Sequence, residues 1–214
     1  MTATSSYRAD IDGLRALAVS TVLVYHAFPT VLPGGFVGVD IFFAISGYLI
    51  TGIIVDALRK NRFSLADFYS RRIRRIFPAL TLVLVSVLAA GWYLLYADDY
   101  ARVGQHVAAG AAFLSNIELW NESSYFDVSA DLKPLLHLWS LGVEEQFYLV
   151  WPLLLALAAR WRRGPIAATI GIGFASFAIA ILTVQADRTA AFYAPWTRFW
   201  ELLAGAMLAC LTID

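Results

Sequence analysis

Long apolar runs alternate with short polar segments along the whole chain. A helix that crosses a bilayer needs about 20 mainly apolar residues, and six runs come close to that length or exceed it. They comprise residues 14–32, 36–58, 76–96, 143–161, 165–184 and 196–213. The pattern predicts an all-α fold, a multi-pass transmembrane helix bundle with about six spans.

Composition supports lipid contact on the outside of this bundle. The chain is 60% hydrophobic, with a mean hydropathy of +0.66, whereas a soluble domain is about 45–50% apolar. The formal net charge is zero, so bulk charge identifies no partner. The single cysteine, Cys210, excludes a disulfide within the chain.

The basic residues predict the orientation. Short loops rich in lysine and arginine stay in the cytoplasm, and such residues cluster between the second and third runs. They are Arg59, Lys60, Arg62, Arg71, Arg72, Arg74 and Arg75. The N-terminus is then cytoplasmic too, and residues 33–35 face outward. Because no small-residue cleavage site follows the first run, we interpret it as a retained span and not as a signal peptide.

A further stretch, residues 104–119, determines on which side of the membrane the later loops lie. If it crossed the membrane, Arg160, Arg162 and Arg163 would be outside, against the usual distribution of basic residues. The stretch is short and interrupted by polar side chains. We therefore favour a re-entrant or interfacial segment over a full span, with residues 121–140 on the outer side.

Two ionisable residues in the first run are candidates for chemistry, because such groups are costly inside a span. Arg15 and His26 are eleven residues apart, so they share one helix face, separated by about 16 Å along the axis. This spacing suits a long anionic substrate that enters from the cytoplasm. Neutral imidazole can act as a general base or accept an acyl group. In the alternative interpretation, Arg15 is a membrane anchor and His26 a structural hydrogen-bond donor.

The second run and the loop after it contain further candidates. Ser46 and Gly47 open a channel beside the first helix or permit close helix packing, and Asp40 lies near the outer end. The arginines at 71, 72, 74 and 75 are either a solvated charge run or a phosphate clamp, since guanidinium groups bind phosphate bidentately. Nucleic acid is not an expected partner, because this cluster directly precedes a membrane span.

Residues 137–148 combine a histidine, a tryptophan and two carboxylates at the mouth of the fourth span. Ser140 is a candidate helix cap. Ser140, Glu144 and Tyr148 recur at steps of four and lie on one helix face, where a carboxylate and aromatic rings can orient a sugar. Arg198 and Glu201, three residues apart in the last run, either pair with each other or repeat this arrangement.

Four segments in this order resemble the acyltransferase-3 superfamily of membrane acyltransferases, in particular the bacterial O-acetylases of lipopolysaccharide O-antigen and peptidoglycan. They are residues 7–16, 34–43, 68–78 and 137–148. Members usually have about ten membrane helices, and some add an extracytoplasmic hydrolase-like domain. Residues 1–214 are therefore expected to be the N-terminal part of a membrane acyltransferase domain.

The resemblance assigns roles to individual residues. It implies that His26 is the essential histidine, with Arg15 as its donor-side partner, and that Glu144 belongs to a serine–glutamate motif that we place with the catalytic group. Arg72 and Arg75 are implied to contact acyl-CoA phosphates, and the register Arg71/Arg74 is the less favoured alternative. Further donor-side positions are Arg71, Ser46 and Gly47, and the acceptor side comprises Asp40, His137, Trp139, Ser140 and Tyr148.

These assignments predict a membrane-embedded O-acyltransferase of the bacterial inner membrane. It moves an acyl group, expected to be acetyl, from cytoplasmic acyl-CoA to a hydroxyl of a cell-envelope or exported glycan. Acyl-CoA is a cosubstrate, no bound cofactor is expected, and the three histidines lack metal-ligand spacing. The alternative is a proton-coupled transporter of a small acid or lipid-linked sugar, which intramembrane histidine and arginine also fit.

Overall fold

The structure, a computed structural model, describes residues 8–123, 133–161 and 163–213. Tyr7 of the first motif and Arg162 of the second basic cluster lie outside the described residues. Within them the chain forms helices and turns and no strand, which confirms the all-α fold. The helices are α1 (Ala9–Ala27), α2 (Gly38–Arg59), α3 (Leu65–Leu94), α4 (Ala97–Ala111), α5 (Ser115–Glu122), α6 (Leu138–Ala158), α7 (Gly164–Ala186), α8 (Arg188–Tyr193) and α9 (Pro195–Ile213), with a 3₁₀ turn at Gly35–Val37.

Four helices in the described part of the chain are long and apolar enough to cross a membrane. They are α2 with its preceding turn, α3, α6 and α7, and they coincide with four of the six predicted runs. The runs at 14–32 and 196–213 form α1 and α9, which are helical but do not belong to this set.

Helix α1 is shifted toward the N-terminus relative to the predicted span. It begins at Ala9 instead of residue 14 and ends at Ala27 instead of residue 32. Acidic residues in its first turn suit the positive end of the helix. Pro29 disfavours helical geometry at the residue before it, and the helix ends there. His26 therefore lies exposed in the last turn, rather than deep within a span as the sequence indicated.

Helix α3 is longer than the third predicted run. It begins at Leu65, because the Ser64 side chain caps it by accepting a hydrogen bond from the backbone N–H of Asp67 (3.2 Å). The arginine cluster at 71–75 is therefore helical and not part of a loop. Arg72 and Arg75, three residues apart, lie on one face of α3.

The tightest packing joins α2 to α9. Gly47 faces the backbone of Leu202, and Gly205 faces the backbone of Ala44 so closely that a Cβ atom at either glycine would overlap it. Because no side chain separates the helices here, their backbones approach directly. This geometry supports the packing interpretation of Gly47.

The two ends of the bundle carry different side chains. Arg59, Arg160 and Arg163 line one cavity, and we call this the arginine end. His26 and His137 meet at the other end of α1 and α6, which we call the histidine end. Arg59 of the first basic cluster thus lies at the same end as Arg160 and Arg163 of the second, as the positive-inside argument requires.

Residues 104–119 do not form a single helix. Helices α4 and α5 are separated by a turn in which Phe113 has a φ of 58°. The side-chain amide of Gln146 holds this turn by donating to the carbonyl of Phe113 (2.7 Å) and to Oδ1 of Asn116 (2.8 Å). Helix α3 leads away from the arginine end and α6 leads back, so α4 and α5 connect them at the histidine end. Both are too short to span a bilayer, in agreement with the favoured interpretation.

Candidate functional site

An open pocket of about 670 Å³ lies between α1, the start of α2 and the start of α6. Its walls are mainly apolar, with three polar side chains at the histidine end. They are His26, His137 and Ser140. An apolar pocket with a few convergent polar groups is the usual form of a small-molecule site.

The two histidines are in direct contact. Their ring centroids lie 4.7 Å apart in an edge-to-face arrangement. Nδ1 of His26 lies 2.8 Å from the carbonyl oxygen of Val22. A carbonyl only accepts hydrogen bonds, so Nδ1 is the protonated nitrogen of the neutral ring. The Nε2 atom then carries the lone pair that is able to take a proton or attack a carbonyl carbon.

His137 immediately precedes α6 and occupies its N-cap position. Burial lowers the pKa of His137 below its usual value, and a positive charge on His26 lowers this pKa further. His137 therefore favours the neutral form beside His26. Ser140 is not the cap that the sequence indicated, because it lies within the first turn and donates to the carbonyl of His137 (3.2 Å).

A glycine sets the position of α1, and with it His26, relative to α2. Gly38 starts α2, and a Cβ atom there would overlap the carbonyl of Ala18 and meet Val22 at 2.8 Å. The missing side chain lets α1 lie directly against α2. Because the carbonyl of Val22 also accepts the hydrogen bond from His26, this contact holds the last turn of α1 next to the start of α2.

Arg15 lies on α1 toward the arginine end and does not line the pocket. Its guanidinium is 5.2 Å from the centre of the Phe42 ring, a distance typical of a cation–π contact. The lining residues of the pocket include Phe42 but not Arg15. The sequence predicted a charge near one end of the helix and an imidazole near the other, and Arg15 and His26 occupy these positions on α1.

Glu144 and Tyr148 lie on one face of α6, as predicted, but they are buried and interact with each other. The Tyr148 hydroxyl donates to Oε1 of Glu144 at 2.5 Å and also contacts Ser46 of α2. Neither residue lines the pocket. The sequence placed Tyr148 on the acceptor side, whereas the structure places it between α2 and α6.

The arginine cluster divides into one paired residue and several exposed residues. Arg72 forms an ion pair with Glu145 of α6 (2.5 Å) and lies 4.0 Å from the Tyr148 ring centre. Arg71 and Arg75 are exposed on α3. A phosphate that binds Arg72 must therefore compete with Glu145, a partner that the sequence analysis did not identify.

A second group of charges lies between α2 and α9, with Glu201 buried and with Asp40 and Arg198 partly buried. Arg198 bonds to Asp40 (2.6 Å) and to Glu201 (3.0 Å), so the spacing-based pair of Arg198 and Glu201 exists. The guanidinium also lies 5.5 Å from the ring centre of Trp139, which is buried against Phe192. Asp40 and Trp139, both expected on the acceptor side, are thus engaged in this internal cluster.

The structure therefore assembles only part of the predicted site around the pocket. It brings together His26, His137 and Ser140, and it holds the arginine cluster of α3 apart from them. Among the described residues, no group of three or more histidine, cysteine, aspartate or glutamate side chains is arranged to hold a metal ion.

Comparison with known proteins defines the class to which this fold and site belong. Residues 8–212 match the acyltransferase domain family, and the chain belongs to that family. The match confirms the resemblance that the four motifs indicated.

Individual relatives agree with this assignment. The chain is 39% identical over 210 residues to peptidoglycan O-acetyltransferase OatA of Listeria monocytogenes, covering 95% of this chain and 34% of that protein. It is 41% identical over 180 residues to an uncharacterized protein of Haemophilus influenzae, covering 79% of this chain and 73% of that protein. The chain thus spans about a third of OatA. No solved structure shows a significant match.

Proposed function

We propose that this domain transfers an acetyl group to a hydroxyl of a cell-envelope glycan, with His26 as the reacting residue. The observation that carries the proposal is the hydrogen bond from His26 to Val22, which leaves Nε2 as the basic nitrogen beside an open pocket. The name of the OatA relative, a peptidoglycan O-acetyltransferase, supports the reaction and the class of acceptor.

The reaction requires one proton acceptor. Nε2 of His26 takes the proton of the glycan hydroxyl while the oxygen attacks the thioester carbonyl. The carbon–sulfur bond then breaks, an ester forms, and the proton passes from His26 to the departing thiolate. In the relay version, Nε2 attacks the thioester carbonyl and the carbon–sulfur bond breaks, which releases the thiolate. The glycan hydroxyl then takes the acetyl group from Nε2, and its proton passes to the thiolate. Both versions use the same nitrogen and release the same products.

The donor in this proposal is acetyl-CoA or another acyl-CoA that arrives at the arginine end. The exposed residues Arg71 and Arg75, together with Arg15 at the inner part of α1, supply cations for its phosphates. Arg72 joins them when it exchanges Glu145 for phosphate. The thioester end of the donor then extends along α1 and reaches His26, about 16 Å from Arg15 along the helix axis.

The proposal places the chain in the bacterial inner membrane, with the N-terminus and the arginine end in the cytoplasm. Helices α1 and α9 then cross together with α2, α3, α6 and α7, while α4 and α5 form a re-entrant or interfacial segment. The acceptor glycan approaches at the histidine end, where His137 and Ser140 border the pocket. Apolar side chains that cover the outside of α1, α3 and α7 support contact with lipid.

The test is acetyl transfer from radiolabelled acetyl-CoA to cell-envelope glycan in membranes that contain the full gene product. His26→Gln preserves a polar side chain but removes the basic nitrogen, and we expect transfer to fall about 10²- to 10⁴-fold. His106→Gln is the matched control, because His106 lies on α4, bonded to Glu122 and outside the pocket. It should retain activity.

Two outcomes would contradict the proposal. One is transfer by His26→Gln at the native rate, which would remove His26 from the chemistry. The other is absence of label in every glycan tested with native protein, together with uptake of a small acid or lipid-linked sugar, which would favour a transporter.

A further inference from the structure

A second cavity, of about 350 Å³, lies at the arginine end of the bundle, far from the histidine pocket. It is enclosed by the C-terminal ends of α2, α6 and α9 and by the start of α7. Its lining combines three arginines with an apolar floor. The arginines are Arg59, Arg160 and Arg163, and the floor includes Val55, Ile166 and Cys210.

Two of the three arginines at this cavity are available to bind an anion. Arg160 and Arg163 are exposed, and within the part of the chain that the structure describes neither side chain forms an ion pair. The cavity also borders the N-terminus of α7, a helix of 23 residues, whose partial positive charge favours an anion. The rim thus presents convergent positive charge to whatever occupies the cavity.

From this arrangement we propose that the cavity binds the phosphate of an anionic phospholipid. The arginines hold the phosphate at the rim, and the apolar floor between the helices receives the upper part of an acyl chain. Basic pockets between transmembrane helices on the cytoplasmic side bind anionic headgroups in this way. The proposal rests on the membrane orientation given above but not on acyl transfer or on His26.

The shape of the cavity favours a lipid over a soluble phosphate. A free phosphate needs only cations and hydrogen-bond donors, whereas this site places apolar side chains directly below the charges. Trp161 also lines the cavity and is 63% exposed. Tryptophan concentrates at the level of lipid headgroups, which is where the phosphate of a phospholipid lies.

The site is separate from the cations proposed for the acyl-CoA donor. Those lie on α3 and α1, whereas no residue of either helix lines this cavity. Substitutions at the two sites should therefore impair different functions. Substitution at the cavity should alter lipid binding, and substitution on α3 should alter the use of acyl-CoA.

The experiment is native mass spectrometry of the detergent-solubilised full chain with added phosphatidylglycerol or phosphatidylcholine of the same acyl chains. Each arginine near an anionic headgroup contributes about a fivefold preference. Arg160→Ala/Arg163→Ala should therefore weaken phosphatidylglycerol binding on the order of 30-fold and leave phosphatidylcholine binding unchanged. Lys60→Ala/Arg62→Ala removes the same charge from the same end outside the cavity and should have little effect.

Further arms identify the source of the phosphate. Glycerol phosphate and CoA, each added in the absence of phosphatidylglycerol, should bind only weakly. Tight binding of either compound that is lost in Arg160→Ala/Arg163→Ala would overturn the lipid assignment. Equal binding of both lipids, or undiminished selectivity in that variant, would also overturn it. His26→Gln should bind lipid normally, so a failure of the transferase proposal is distinguishable from a failure here.

Discussion

Helices α1 and α9 both pack against α2, but they do so in very different ways. The buried face of α9 includes Leu202 and Ala206, which are completely inaccessible, and its backbone touches that of α2. Helix α1 contacts α2 on one side only and leaves Leu17 and Leu23 about two-thirds exposed (65% and 64%). The residue proposed to react, His26, lies on the thinly packed helix.

The difference in packing suggests different roles: α9 belongs to a scaffold, whereas α1 carries the residue proposed to react. Closely packed elements with many buried contacts open rarely, whereas elements with few such contacts open at low cost. Helices α2, α6 and α9 hold His137 in place, and α1 brings His26 against it. The same glycine-to-alanine change in the two contacts should therefore have different consequences.

The largest expected effect is that of Gly47→Ala, in the contact between α2 and α9. The added Cβ would overlap the backbone of Leu202, which cannot rotate away as a side chain can. Overpacking of a core typically costs about 1–3 kcal/mol, occasionally more, and we expect a cost of ~3 kcal/mol or a failure to accumulate folded protein. The thermal unfolding midpoint in detergent measures it.

Gly171→Ala on α7 is the control for this change. No atom lies within 4 Å of the Cβ that it adds, and alanine in a helix is favoured over glycine by about 1 kcal/mol. Its midpoint should be unchanged or slightly raised. If Gly47→Ala behaves in the same way, then α2 and α9 are not in the close contact described.

Gly38→Ala adds the same atom to the contact between α1 and α2, where the packing is less extensive. The Cβ would overlap the carbonyl of Ala18 and push α1 away from α2, carrying His26 with it. Misplacement of a reacting group by about 1 Å can reduce the rate about 100-fold. We expect a loss of transfer of that order, with a smaller fall in the unfolding midpoint than Gly47→Ala causes. A fall in both quantities equal to that of Gly47→Ala would show that α1 is part of the scaffold.

Much of the fold could be predicted from the sequence, because apolar runs and the spacing of residues along one helix are local properties. The six runs became helices, and the shared face of Glu144 and Tyr148 follows from their spacing. Spacing does not indicate how a helix is rotated toward its neighbours. The pairing of Arg72 with Glu145, 73 residues apart, therefore had no signal in a single sequence.

The structure also differed from the sequence prediction at the ends of two helices. Pro29 shortened α1 and left His26 in its last turn, which a hydropathy window does not resolve. The Ser64 cap extended α3 through residues too basic for an apolar run. In both cases a single residue at a helix end outweighed the average character of the segment.

Glu145→Gln tests whether Arg72 binds the donor. Its effect on transfer should be smaller than that of Gly38→Ala. If Arg72 binds donor phosphates, it must first leave Glu145, and the neutral glutamine competes less well for the guanidinium. We expect the KM for acyl-CoA to fall about fivefold, equivalent to ~1 kcal/mol, with a modest loss of stability. An unchanged KM with the same loss of stability would identify Arg72 as a structural tie between α3 and α6. Arg102→Ala, which removes an exposed pair with Asp99, is the control and should change neither quantity.

The smallest expected effect concerns the pH dependence of stability at the histidine end. The pKa of His137 is lowered in the folded protein, first by burial and then by the charge of His26. The unfolded chain therefore binds more protons there, and stability falls as the pH drops below about 6.5 toward the lowered value. His137→Phe should flatten the dependence of the unfolding midpoint on pH between about 7.5 and about 5. His26→Gln should flatten it less, because burial remains when the charge is removed. Equal flattening by both variants would mean that the contact between the two rings, and not burial, lowers the pKa of His137.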